Sequence, residues 1–298
     1  MSLKILENVN LAQFTSWLIG GDADYFCQPS TVDELIEATT WADSKNLAVT
    51  VLSGGSNVLI SDLGIRGLTI YLNKFNQLTH EIKNDRLVIE CLSGAAKSEL
   101  LKIFLKNQLA PALFLAGLPG DVGGGVVMNA GVAEAFNPRE FMEIVDWIEV
   151  LDSKNQIKRF QKTDLKISYR HCDGWQPGIV TSVGISWPLE KDQTVLVKVR
   201  DANKIRLTKQ PLDKPSCGSV FRNPEGYKAA QLIDQAGLKG YSVGDAQVSL
   251  KHANFIVNLG KATAAEVAAV IDHVQRTVKQ VHGVQLTTEV VRLGQWLT

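Results

Sequence analysis

Residues 116–131 read Ala116-Gly-Leu-Pro-Gly-Asp-Val-Gly-Gly-Gly-Val-Val-Met-Asn-Ala-Gly131, and a shorter glycine loop, Ser53-Gly-Gly-Ser-Asn57, follows an apolar segment earlier in the chain. Glycine lacks a Cβ atom, so backbone N–H groups in such loops can approach an anion closely. Either loop alone is more typical of a tight turn. The two together, beside Asn57 and Asn129, favour a nucleotide cofactor bound through its pyrophosphate. Neither loop has the spacing of a Rossmann fingerprint or a Walker lysine motif.

Helical and extended patterns alternate around these loops, which predicts a mixed α and β chain. Capping boxes at Thr31-Val-Asp-Glu34 and at Thr263-x-x-Glu266 predict helix starts, and Gly283 is a suitable helix end. One predicted helix begins after Thr31, and three more cover 98–109, 194–208 and 263–283. The predicted strands cover 48–52, 67–72, 86–91, 147–151, 157–160 and 286–293.

Composition excludes several classes of function. The 298 residues contain 31 Lys and Arg against 31 Asp and Glu, so a polyanionic partner such as nucleic acid is not expected. No run of about 18 apolar residues predicts a membrane span. The four cysteines have neither zinc-site spacing nor the density of a disulfide framework, which favours a reducing cytoplasm and no metal.

The segment Pro215-Ser-Cys-Gly-Ser-Val-Phe-Arg-Asn-Pro224 places Ser219 in a turn that two prolines and Gly218 constrain. This arrangement is suited to presenting a proton donor, although a plain surface turn is the commoner use of such residues. Cys217 is interpreted as a small buried thiol rather than as a nucleophile.

Arg170 and Glu289 are the other ionisable candidates, each on a segment that reads as a short strand. A guanidinium offers a planar fork for a carboxylate, and a carboxyl group among apolar neighbours can stay protonated and donate a hydrogen bond. Taken singly, each is more often a solvated strand residue. His252 could act as a base, but a structural histidine is at least as frequent.

The chain resembles the UDP-N-acetylenolpyruvoylglucosamine reductases nearly from end to end. The resemblance lies in the segments 19–25, 53–57, 116–120, 122–124, 128–131, 169–170, 215–224, 236–241, 246–249 and 251–258, and in Glu289.

The resemblance implies an α+β architecture: an FAD-binding fold of the vanillyl-alcohol-oxidase type, made of two α+β subdomains, followed by a C-terminal α+β substrate domain. The implied boundaries are 1–73, then 74–195, then 196–289, and the resemblance leaves open whether 290–298 completes the first of these subdomains. The implied activity is the NADPH-dependent, FAD-mediated reduction of a UDP-sugar enolpyruvyl ether to UDP-N-acetylmuramate, a step of peptidoglycan precursor synthesis that supports cell shape and division. A cytoplasmic monomer that binds neither nucleic acid nor membrane is expected.

The resemblance also implies site roles. Ser219 would donate the proton, while Arg170 and Glu289 would stabilise charge on the substrate carboxylate. The implied cofactor residues are Gly54, Gly55, Ser56, Asn57, Gly117, Pro119, Gly120, Gly123, Gly124, Asn129 and Ala130, and the implied substrate residues are Tyr169, Asn223, Gln247 and Lys251.

Several positions depart from the family pattern. The interval between Arg170 and Ser219 is typical of the shorter form of the family, without the insertion that carries a substrate-capping tyrosine. The other departures are Leu18 for Arg, Asp121 for Thr or Ser, Gly125 for Ala, and Val291 for Arg. A carboxylate at position 121 would repel a phosphate unless only its backbone N–H makes the contact.

Two alternatives stay open at this level. One is a flavin-dependent oxidase of the same cofactor fold, and the other is a catalytically silent nucleotide-binding regulator. The oxidase is disfavoured because neither glycine loop contains a His or Cys that could tether a flavin.

Overall fold

The computed structural model describes residues 3–132 and 138–296. The chain forms two compact units, and the chain passes between them more than once. The first unit contains residues 1–5, 27–54 and 69–204, and the second contains 6–26, 55–68 and 205–298.

Each predicted helix is present, and the structure adds short helices and several strands that the sequence patterns did not predict. The helices are α1 Val32–Ser44, α2 Lys97–Lys106, α3 Pro111–Leu115, α4 Val122–Val127, α5 Val195–Lys209, α6 Ala229–Gln235 and α7 Ala264–His282. The strands are β1 Ile5–Asn10, β2 Asp22–Cys27, β3 Val49–Leu52, β4 Val58–Ile60, β5 Ile65–Tyr71, β6 Leu78–Lys83, β7 Arg86–Leu92, β8 Val145–Asp152, β9 Ile157–Gln161, β10 Lys166–Ser168, β11 His171–Asp173, β12 Gly178–Pro188, β13 Ser242–Val243, β14 Ala246–Val248, β15 Ile256–Asn258 and β16 Val291–Leu293.

A five-stranded antiparallel sheet of order β6-β7-β12-β8-β9 organises the first unit. Strand β7 alternates between buried and more exposed residues, as the period-two pattern of its sequence predicts, so Leu87 and Ile89 enter the core. Helix α2 adds Leu100 and Phe104 to that core. The sequence favours Leu101, Phe104 and Leu105 as the buried face of this helix, and the two leucines are only partly buried. The sheet and its helices thus support the loop at 116–121 and helix α4.

Helix α7 and the short sheet β13-β14-β15 form the core of the second unit. The predicted capping box is present at Thr263 and Glu266, and Gly283 ends the helix with φ +70°. Apolar residues at helical spacing predict one buried face of α7, and the structure buries all of them: Val267, Val270, Ile271, Val274 and Val278. Because capping and periodicity are local signals, this helix is confirmed from end to end.

The predicted strand at 286–293 is wrong in its length. Only Val291–Leu293 forms a strand, which pairs in parallel with β4, and the residues before it are irregular apart from one bridge between Thr288 and Phe221. Across the described ranges 3–132 and 138–296, no helix combines the length and apolar character that a membrane crossing requires.

Candidate active site

In the second unit, Ser219 lies in a turn without regular secondary structure, as predicted. Gly218 adopts φ +82°, a backbone conformation that side chains disfavour, and Ser219 is half-buried. The backbone N–H of the next residue, Val220, donates to the carbonyl of Asn254 over 2.9 Å. The hydroxyl group is therefore carried by a turn whose backbone is anchored at its next residue.

Glu289 lies beside this turn through a backbone hydrogen bond. Its N–H donates to the carbonyl oxygen of Val220 over 2.7 Å, and the adjacent residues Thr288 and Phe221 form an antiparallel bridge. Burial raises the pKa of the Cys217 thiol well above its usual value, and the charge of Glu289 raises it further. Cys217, Ser219 and Glu289 therefore belong to one local cluster, and the protonated, buried state of the thiol agrees with its interpretation as packing.

Asn57, predicted to bind the cofactor, has a structural role in the second unit. Its side-chain amide donates to the carbonyl of Glu289 over 2.9 Å, and its own carbonyl accepts from the N–H of Val291 over 3.1 Å. The first glycine loop and the segment of Glu289 are thus linked at Asn57. The cofactor contact of Asn57 stays a prediction.

Asn254 is a positioning residue that the sequence reasoning missed. Its buried side chain accepts from the N–H of Phe221 over 2.9 Å and donates to the carbonyl of Phe221 over 2.8 Å. A side-chain amide can pair with both polar groups of one backbone residue, as a neighbouring strand would. Its place in the segment 251–258, which carries the family resemblance, was the available signal.

The predicted substrate residues of the second unit lie in two places. Gln247 and Lys251 line a groove of about 460 Å³ together with Leu207, Leu212 and Leu250. The ammonium group of Lys251 donates to the carbonyl of Leu207 over 2.6 Å.

Asn223 has a different environment. Its side-chain oxygen accepts from the N–H of Ala229, the first residue of helix α6, over 3.0 Å and so satisfies one of the N–H groups that the helix leaves unpaired at its start. The substrate contacts of Asn223, Gln247 and Lys251 stay predictions.

His252 is engaged within the second unit. Its Nδ1 atom accepts from the N–H of Asn254 over 3.3 Å, and its ring packs edge-on against Phe255 at 4.7 Å between centroids. Burial lowers the pKa of the imidazole, and the charge of Lys239 lowers it further. These contacts support the interpretation of His252 as a structural histidine.

In the first unit, the two glycine loops touch each other through their backbones. A Cβ atom at Gly54 would lie 2.7 Å from Cα of Gly120 and 3.2 Å from the nitrogen of Asp121. The side chains beside this contact are joined as well, because the hydroxyl of Ser53 donates to Oδ2 of Asp121 over 2.9 Å. The sequence placed both loops in one cofactor site, and the structure brings Gly54 and Gly120 together.

Helix α4 begins directly after this contact. The N–H of Gly123 donates to the carbonyl of Ser93 over 2.7 Å, and the buried hydroxyl of Ser93 has no hydrogen-bond partner among the described residues. A Cβ atom at Gly124, by contrast, would have no heavy atom of the described residues within 4 Å, apart from the backbone of its own helix and its chain neighbours. An open backbone position beside a buried hydroxyl without a partner suits a phosphate-bearing cofactor such as FAD.

Asn129, a predicted cofactor residue, has its side chain fully engaged inside the first unit. Its amide nitrogen donates to Glu140 over 2.8 Å and to the carbonyl of Ser168 over 3.0 Å, and its oxygen accepts from the N–H of Met142 over 3.1 Å. The residue is completely buried. The next residue, Ala130, is tied by backbone hydrogen bonds to Gly125 and Phe141. Any cofactor contact at 129 is therefore left to the backbone.

Arg170 lies at the tip of the β10-β11 hairpin with φ +56°, so the expectation of a strand position is wrong. Its Nη2 donates to the carbonyl of Gly131 over 3.0 Å, and its Nη1 is 3.8 Å from Oε1 of Glu140. The guanidinium also stacks on Tyr169 at 4.8 Å from the ring centroid. Arg170 and Tyr169 belong to the first unit, whereas Ser219 and Glu289 belong to the second, so their meeting over one substrate stays a prediction.

Comparison with known proteins identifies the family. Residues 23–161 match a model of an FAD binding domain, and residues 210–293 match the C-terminal domain of UDP-N-acetylenolpyruvoylglucosamine reductase. The reductases of that name from Listeria innocua and Pediococcus pentosaceus are each 37% identical over 98% of this chain, covering 96% and 95% of their own lengths. The chain belongs to the UDP-N-acetylenolpyruvoylglucosamine reductase family.

A solved structure supports the same conclusion for the fold. The UDP-N-acetylenolpyruvylglucosamine reductase from Thermus caldophilus has a TM-score of 0.80 and 30% identity, with 98% of this chain and 99% of that chain covered. The predicted fold class is confirmed, and so is the prediction of an FAD-dependent reductase of peptidoglycan precursor synthesis. The domain boundaries and the roles of individual residues stay predictions.

Proposed function

We propose that this reductase protonates its substrate from Ser219, stabilises the substrate carboxylate with Glu289 and Arg170, and draws its electrons from NADPH. The observation that carries the proposal is the 2.7 Å hydrogen bond from the N–H of Glu289 to Val220, the residue after Ser219. This bond places the carboxyl group of Glu289 and the hydroxyl group of Ser219 on two neighbouring segments. Asn57 binds the backbone of the first segment, and Asn254 binds the backbone of the second.

The chemistry requires these residue types. The enolpyruvyl ether is a vinyl group conjugated to a carboxylate, and reduced flavin, when FAD is bound, supplies a hydride to its terminal carbon. The electron pair of the double bond then moves toward the carboxylate. Arg170 can bind that carboxylate with its planar fork, and Glu289 in its protonated form can donate a hydrogen bond to it.

Ser219 completes the reaction by donating its proton to the carbon next to the carboxylate. Hydride and proton together convert the double bond into the lactyl ether, with one NADPH and one proton consumed. A serine hydroxyl is a weak acid, so it transfers a proton only to a carbanion-like centre within hydrogen-bond distance. The serine then recovers its proton from solvent.

The test separates the two half-reactions. In Ser219→Ala, we expect turnover with the enolpyruvyl sugar nucleotide to fall by about 10²–10⁴-fold, the usual contribution of a general acid, while anaerobic bleaching of the flavin by NADPH keeps its rate. Ser216→Ala in the same turn is the matched control and should leave both rates unchanged. An equal loss of both half-reactions in Ser219→Ala would assign Ser219 to folding or cofactor retention instead.

The same measurements decide the remaining alternatives. Flavin that NADPH bleaches and the enolpyruvyl sugar reoxidises would exclude a silent regulator, and yellow colour that stays with acid-precipitated protein would revive the tethered oxidase. The preference for NADPH is measured as the ratio of kcat/KM for NADPH and NADH.

We also propose that the enzyme works in the cytoplasm as a monomer and that its loss would alter cell shape and division. All four cysteines are buried and free, which supports a reducing compartment. Cell fractionation and sedimentation of the purified protein test the location and the monomeric state.

A further inference from the structure

A buried lysine lies beside the second glycine loop of the first unit. Lys97 is only 4% exposed, its ammonium donates to the carbonyl of Pro119 over 2.8 Å, and its backbone N–H donates to the carbonyl of Gly120 over 3.1 Å. The ammonium also lies 5.8 Å from the centroid of the Phe141 ring. Lysine is almost never fully buried unless it is paired, so this position calls for a partner.

Asp121, the next residue of the same loop, forms an antiparallel bridge with Ala96, the residue before Lys97, and its carboxylate is the opposite charge that acts on the ammonium. Burial lowers the pKa of Lys97 to about 8, and the charge of Asp121 counteracts that lowering. Burial likewise raises the pKa of Asp121, while the hydrogen bond from Ser53 and the charge of Lys97 counteract the rise. Each group therefore stabilises the charged form of the other.

Lys97 and Asp121 lie at the second glycine loop, so their charges would act on the pyrophosphate that this loop is proposed to bind. Asp121 directly follows Gly120, whose backbone packs against the first glycine loop at Gly54, and directly precedes helix α4 with its open position at Gly124. A carboxylate here opposes a bound pyrophosphate, and solvent screens charges less at the half-buried position of Asp121 than on an open surface. The lysine removes that penalty and fixes the backbone of the loop at the same time.

We propose that Lys97 is a positioning residue for the pyrophosphate of the cofactor, holding the loop at 119–120 and compensating the charge of Asp121. The inference rests on the proposed role of the loop in binding FAD. On this inference the positive charge of Lys97 offsets the negative charge of Asp121, so the loop tolerates an acidic residue next to a bound pyrophosphate.

Two substitutions separate charge compensation from simple support of the loop. Lys97→Met keeps the apolar stem and removes the ammonium, whereas Asp121→Asn keeps an acceptor for Ser53 and removes the negative charge. The purified holoenzyme is stripped of FAD, and the dissociation constant for FAD is measured by quenching of flavin fluorescence. Circular dichroism of each apoprotein verifies folding.

The expected changes have opposite signs. Lys97→Met removes a nearby positive charge that solvent screens weakly, so it weakens FAD binding by roughly tenfold or more. Asp121→Asn removes a negative charge and therefore strengthens FAD binding. The double variant binds FAD more tightly than Lys97→Met alone. If Lys97→Met does not fold, Asp121→Asn alone tests the inference: tighter FAD binding supports charge compensation, and weaker binding contradicts it.

Two results would overturn the inference. Weaker binding in Asp121→Asn, with a further loss in the double variant, would show that the pair only supports the loop, and the FAD site itself would stand. Unchanged FAD affinity in every variant would overturn both the inference and the assignment of this loop to the cofactor.

Discussion

Replacing Gly124 by alanine should stabilise the apoprotein and weaken its binding of FAD. The added Cβ atom would meet no heavy atom within 4 Å, and Gly124 lies inside helix α4, where alanine is favoured over glycine by about 1 kcal/mol. For a protein of this size, that gain raises the melting temperature by about 2–4 °C.

The same methyl group would occupy the space in which the backbone of Gly124 is proposed to contact the cofactor. Overpacking of a close contact costs about 1–3 kcal/mol, and the higher end of that range corresponds to roughly a hundredfold weaker binding of FAD. The assay combines thermal melting of the apoprotein with titration by FAD, followed by flavin fluorescence. Opposite signs in the two readouts are the signature of a backbone position kept open for a ligand.

Gly54→Ala is the matched control, because it adds the same methyl group at a glycine that is already in close backbone contact. Its Cβ atom would lie 2.7 Å from Cα of Gly120, where both neighbours are backbone and cannot rotate away. This variant should lose about 1–3 kcal/mol of apoprotein stability as well as FAD affinity. Unchanged FAD affinity in Gly124→Ala would refute the reasoning for position 124, and a less stable apoprotein would refute the assumption of open space.

Two further predictions concern buried polar groups. Asn129→Ala should lower the free energy of unfolding by roughly 3 kcal/mol or more, because it strands the N–H of Met142 and the other partners of the amide, and urea denaturation of the apoprotein measures the loss. The pKa of Lys97 is about 8 in the folded chain, below its ordinary value of 10.5. Between these two pH values the unfolded chain binds more protons than the folded chain, so the free energy of unfolding rises with pH. The rise should amount to about 3 kcal/mol and be absent in Lys97→Met, and parallel slopes for the two proteins in urea denaturation at pH 8–10.5 would contradict it.

Elements with local signals were predictable from the sequence. Helix α7 has its capping box, stripe and terminal glycine within one continuous segment, and the β8-β9 hairpin has its alternation and its turn within one segment. The turn of Ser219 was also predictable, because its prolines and glycine restrict their own dihedral angles. The family resemblance then placed candidate residues in these elements.

Positions that depend on distant partners could not be predicted in this way. The apolar pattern at 286–293 predicts a strand of eight residues. Only Val291–Leu293 has a neighbouring strand to pair with, and that strand is β4. Arg170 reads as a strand residue but turns a hairpin and binds Gly131 and Glu140. The sequence around Lys97 gives no sign that its ammonium binds the carbonyl of Pro119 and lies over the ring of Phe141, because both partners are distant along the chain.

The sequence by itself determined the family, through the resemblance of its segments, and the turn that carries Ser219, because a turn depends on residue type and on neighbours along the chain. Only the tertiary structure decided which backbone groups Asn57 and Asn254 hold and that the buried ammonium of Lys97 binds the carbonyl of Pro119. Those pairings join residues far apart in sequence, and burial, which sets the strength of each charge and hydrogen bond, exists only after the chain has folded.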